Sequence, residues 1–135
     1  MMQEKKTYLP ITSENICHAY VLLHREGLVS FPLTEEGKKK VAAIVANING
    51  PYFGHEIYNT PEEKAVAFLY FLIKDHPFID GNKRTACLVF EVLCDINKLA
   101  PRFNEFSLDA LAVFIEGIRD PNHHGAIKNI TDILF

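Results

Sequence analysis

Long apolar runs are missing from this chain: the longest, Ala65 to Ile73, supplies about half of the roughly twenty residues that a bilayer span requires. No membrane anchor is expected, and the polar opening from Met1 to Pro10 carries no apolar segment of the signal-peptide kind. Cysteine is scarce. Cys17, Cys87 and Cys94 form no Cys-x-x-Cys pair, and an odd number suits buried, reduced thiols in a cytoplasmic protein better than a disulfide framework. Charge of one sign is also lacking, since the net charge is −3 and the lysines and arginines form no long stripe. That argues against nucleic acid as a partner held through its phosphates, and leaves only local phosphate binding open. Seven glycines and seven prolines punctuate elements without marking a linker, and no internal repeat stands out. Residues 1–135 are therefore expected to form one domain, burying roughly two-thirds of the surface the unfolded chain exposes.

What is present is helical periodicity. Thr12 or Ser13 can cap a helix carrying Ile16, Ala19, Tyr20 and Leu23 inward and stopping at Gly27; Thr34 can cap a second with Val41, Ile44, Val45 and Ile48. Lys38, Lys39 and Lys40 read as the solvated side of that second helix. Thr60-Pro61-Glu62-Glu63 predicts a capping box ahead of a helix that is apolar nearly all round, and hence central to the core. Ser107 can cap a helix with Leu108, Leu111, Ala112 and Ile115, while Ile127, Ile130 and Leu134 suggest a closing one. His18 and His24 are six residues apart, which is no ligand spacing, and the adjacent His123-His124 pair lacks a third ligand.

The densest stretch is His76-Pro77-Phe78-Ile79-Asp80-Gly81-Asn82-Lys83-Arg84-Thr85-Ala86, where one apolar segment breaks and another begins. Pro77 disfavours helix at His76, so the preceding helix should end near Asp75, and Gly81-Asn82 supply permissive backbone for opening the next. A helix N-terminus offers an anion its unpaired N–H groups and the positive end of its dipole. Lys83 and Arg84 are misplaced there unless phosphate offsets them. Arg84 could instead pair with Glu91 or Asp95, yet its first-turn position favours phosphate. With His76 as a candidate base and Asp80 as a hard-cation ligand beside a nest of Gly81, Asn82, Lys83 and Arg84, the loop reads as nucleotide chemistry on a hydroxyl.

The same segment resembles the signature of the Fic/Doc (Fido) family, His-x-Phe-x-Asp/Glu-Gly-Asn-Gly/Lys-Arg, with every specified position filled. Lys83 stands where the Fic branch has a second glycine and Cys87 where it has a second arginine, so the resemblance is to the Doc branch, with Asn-Lys-Arg-Thr-Ala. It implies an all-α, orthogonal bundle of about six helices with one small β-hairpin flap. It also implies an ATP-dependent protein-modifying transferase using Mg²⁺: His76 would act on a hydroxyl of a target protein, Asp80 would hold the metal, and residues 81–84 would bind the phosphates. Phe78 is expected to anchor the loop. The flap, which in relatives docks the target, falls on Tyr52, Phe53, Gly54, His55, Glu56, Ile57, Tyr58 and Asn59; an aromatic-rich plug at the core edge is the alternative reading. A Doc-like kinase toxin acting on a translation factor such as elongation factor Tu, restrained by a separate antitoxin, is the first functional expectation. Fic-type adenylylation (AMPylation) is the second, and a catalytically silent nucleotide-binding module the third, disfavoured because His76 and Asp80 are both intact. The family's inhibitory pattern, Ser/Thr-x-x-x-Glu-Gly/Asn, is absent: Glu14, Glu26, Glu36 and Glu116 are preceded four residues earlier by Pro10, Leu22, Pro32 and Ala112.

Overall fold

The computed structural model describes residues 7–50, 57–103 and 107–135. These residues form six helices in the order α1 (Ser13–Arg25), α2 (Glu35–Asn49), α3 (Pro61–Lys74), α4 (Asn82–Ile96), α5 (Leu108–Gly117) and α6 (His123–Leu134). The architecture is all-α, as the periodicity predicts.

The caps explain where the helices start. Thr12 Oγ1 accepts from the Asn15 N–H while Asn15 Oδ1 accepts from the Thr12 N–H, a reciprocal box. Thr34, Ser107 and Asn122 cap α2, α5 and α6 through the backbone N–H three residues on. At α3 the expected capping box is altered: Thr60 Oγ1 accepts from the Glu63 N–H, but the Glu63 carboxylate reaches Asn59 N–H, one residue further back than Thr60. Pro61 fits because the first turn has no use for its missing N–H.

Helix α3 is the axis of the core. Its residues from Lys64 to Tyr70, with Leu72 and Ile73, are buried, and it packs against α2, α4, α5 and α6. An apolar helix with no polar stripe can satisfy itself only by being surrounded, which is what this arrangement does. Lys64, among these residues, directs its ammonium to the Ile48 carbonyl and over the Tyr8 ring, so the aliphatic stem is buried while the charge is met. Helix α1 leans on α2 and α4, and α5 rests against α3 and α4.

The expected hairpin is not seen: no strand occurs among the described residues, and Ile57 and Tyr58 form a bend. Tyr58 is drawn into the core, its ring edge-on to Phe71 and its hydroxyl 2.8 Å from His124 Nδ1, so it serves here as a plug. Residues 52–56 of that expectation lie outside the described residues. His123 is held likewise, 2.6 Å from the buried Tyr70 hydroxyl, and the two histidines thus dock the start of α6 beside α3.

Helix α4 ends in an unexpected way. Lys98, at φ 54, takes the left-handed position usually given to glycine, with Leu99 N–H bonded to the Cys94 carbonyl at 2.8 Å. Replacing Lys98 with glycine is expected to raise stability by about 0.5 kcal/mol, the left-handed penalty less glycine's unfolded-state entropy. A higher denaturant midpoint at unchanged slope checks this.

Candidate active site

Asp75 N–H makes the last helical bond of α3, to the Phe71 carbonyl, and the helix ends because the chain then turns sharply at His76, whose φ is 47, ahead of Pro77. A non-glycine residue in that region, exposed and followed by a proline, is backbone held against its preference. The loop is fixed from inside by Phe78, which is buried and stacked on Tyr20 with ring centroids 4.1 Å apart. Asn82 closes it: its Oδ1 accepts from Phe78 N–H at 2.9 Å and its Nδ2 donates to the Phe78 carbonyl at 2.8 Å. The Asn82 side chain is therefore committed to the loop itself, which leaves its backbone N–H as the group facing an anion.

Gly81, at φ 79, delivers the chain into α4 with no side-chain cap. The helix's first bond runs from Thr85 N–H to the Gly81 carbonyl, so the N–H groups of Asn82, Lys83 and Arg84 have no acceptor within the helix. This helix end presents three N–H groups and the positive end of its dipole. It opens on a cavity of about 540 Å³ that also takes in His76 and Asp80 on one side and Asp109 and Glu116 of α5 on the other.

The charges are partly spoken for. Lys83 Nζ lies 2.6 Å from Glu116 Oε2, and this hydrogen bond holds the Glu116 carboxyl below the ordinary carboxylate range. Both side chains are more than two-fifths exposed, at 44% and 43%, so the pair is a weak one that a polyanion can displace. Arg84 Nη1 donates to the Leu28 carbonyl at 3.2 Å rather than to Glu91 or Asp95. Asp80 Oδ2 accepts from Ser30 N–H at 3.0 Å, leaving Oδ1 directed to no group among the described residues. Cys87 lines the cavity one turn further along; burial, with the charges of Asp109 and Glu91 adding, pushes its thiol up to about 11, so this side chain brings no charge at neutral pH.

The loop thus gathers His76, Asp80 and the first turn of α4 around one cavity, with Ile57 to Asn59 absent from its lining. Sequence reasoning missed Glu116, Asp109 and the Leu28–Ser30 segment as neighbours of the site. Glu116 carried a signal only as one of four Glu-Gly/Asn steps, and the other residues carried none.

Such a site defines a helical protein with an open, uncapped helix N-terminus beside a histidine and a carboxylate in one cavity. A model of the Fic/DOC family matches residues 10–94, well over half of the chain, and the chain belongs to that family. Members of this family generally transfer nucleotidyl or phosphate groups to proteins. No curated protein and no solved structure matches the chain. The match ends inside α4, so α5, with Asp109 and Glu116, lies beyond it. Among the described residues, no helix is long and apolar enough to cross a membrane.

Proposed function

We propose that the protein is a Doc-like kinase that moves the γ-phosphoryl group of ATP to a hydroxyl of a target protein. The observation that carries the reading is the open N-terminus of α4, with three N–H groups lacking helical acceptors, in the same cavity as His76. The residues fit a triphosphate. Backbone N–H groups and the dipole receive its oxygens, and Lys83 and Arg84 exchange Glu116 and the Leu28 carbonyl for it. Asp80 would hold Mg²⁺ through its free oxygen, since such an ion on a triphosphate takes only one or two protein carboxylates and supplies charge neutralisation when bound.

In this reading His76 takes the proton of the attacking hydroxyl, and the cradle stabilises charge on the transferring group. Phosphoryl transfer asks little more of a protein than this positioning and field. Phosphate is preferred over adenylate because cations gather at the first turn, through Lys83 and Arg84, whereas Cys87 one turn on is neutral. A nucleotide whose tail is not drawn along that wall turns its γ-phosphate toward His76. A translation factor such as elongation factor Tu is the proposed target, and a separate antitoxin the proposed restraint.

The test is intact-mass analysis of a candidate target incubated with ATP, Mg²⁺ and the protein. A phosphate adduct is expected, and Lys83→Gly should reduce its yield about tenfold or more, in line with loss of one positioned cation at the transferring group. An adenylate adduct would overturn the kinase assignment.

A further inference from the structure

We propose that Tyr20 is a positioning residue for Asp80, acting through the connection from Gly27 to Phe31; this rests on the nucleotide reading of the site given above. The connection is pinned at both ends. At its start Gly27, φ 72, closes α1: its N–H bonds the His24 carbonyl at 3.0 Å and Leu28 N–H bonds the Leu23 carbonyl at 2.9 Å. At its end the Tyr20 hydroxyl donates to the Phe31 carbonyl at 2.5 Å.

Between these pins, three consecutive residues meet the signature loop. The Leu28 carbonyl accepts from Arg84, Ser30 N–H donates to Asp80, and buried Val29 lies so close to Gly81 that a Cβ there would sit 2.2 Å from Val29 Cγ1. Asp80 is itself exposed, and the hydrogen bond that orients it comes from this backbone, whereas Arg84 leaves the Leu28 carbonyl when it takes a phosphate. Tyr20 is therefore joined to the loop twice, by its hydroxyl through the connection and by its ring stacked on Phe78. Burial, with Asp80's negative charge adding, raises the phenol pKa, so at neutral pH the hydroxyl remains a donor. A packing role needs only the ring. The hydroxyl has a purpose only if the position of Phe31, and with it Ser30 and Leu28, matters.

Tyr20→Phe separates the two roles, because it keeps the ring and the stacking and deletes one hydrogen bond. Two measurements apply: hydrogen exchange at the Ser30 amide by NMR, and ATP affinity by calorimetry with and without Mg²⁺. Loss of one net hydrogen bond is expected to speed Ser30 exchange about fivefold and weaken ATP binding in Mg²⁺ by about the same factor. Binding of ATP without Mg²⁺, which rests on the α4 backbone with Lys83 and Arg84 and not on Asp80, should change less than about twofold. Unchanged Ser30 exchange overturns the proposal, and so does an equal loss of ATP affinity with and without the metal. If the unsubstituted protein binds no ATP, the nucleotide reading falls, while Ser30 exchange still decides whether Tyr20 holds the connection.

Discussion

Replacing His76 with alanine is expected to lower group transfer about 10²- to 10⁴-fold, the range that a positioned general base contributes. The expectation rests on placement. His76 is exposed in the cavity next to the cradle, while the apolar contacts of α3 that hold it are complete without it. Because its φ is 47, alanine adds a backbone cost that histidine bears more easily, so a lone loss of activity in His76→Ala would be ambiguous. His76→Asn removes the ambiguity: asparagine tolerates the left-handed region but is no base at neutral pH. Both variants should fail to modify the target, with His76→Asn melting close to the unsubstituted protein. Undiminished modification by either would remove His76 from the mechanism.

The helices were legible in the sequence because α1, α2, α3 and α5 carry their own caps and α6 its apolar spacing, and these are local properties. The signature loop was legible for the same reason: Pro77, Gly81, Asn82, Lys83 and Arg84 fall within eight consecutive residues. What could not be read lies far apart along the chain. Glu116 meets Lys83 from α5, and Ser30 and Leu28 reach Asp80 and Arg84 from the α1–α2 connection, with no periodicity or motif linking them. The hairpin is a different case. Tyr52 to Asn59 mixes turn residues with β-formers, residues 52–56 lie outside the described residues, and the described part packs Tyr58 against α3 and α6. Lys98 shows a third kind of gap, since the helix end demanded a left-handed residue and the sequence supplied no glycine to announce it.

Gly81→Ala is expected to be the most damaging single substitution in the loop, destabilising the protein by about 2–5 kcal/mol. Two costs combine. At φ 79 an L side chain loses about 1–2 kcal/mol relative to glycine. Its Cβ would then lie 2.2 Å from Val29 Cγ1, and Val29 is a short, branched, buried side chain with no flexible end to swing aside. Relief requires the Leu28–Ser30 backbone to shift, and overpacking of this kind costs about 1–3 kcal/mol. That shift would also draw Ser30 away from Asp80 and Leu28 away from Arg84, so nucleotide affinity should fall with stability. A double-mutant cycle with Val29→Ala separates the terms, because it removes the Cγ1 contact and leaves the backbone strain with a 3.1 Å approach of residue 29's Cβ, which only a few tenths of an ångström of movement relieves. Gly81→Ala should cost only about 1–2 kcal/mol in the Val29→Ala background. Equal costs in the two backgrounds, measured by chemical denaturation, would show that Val29 does not press on the loop and that glycine is required at 81 for its backbone alone.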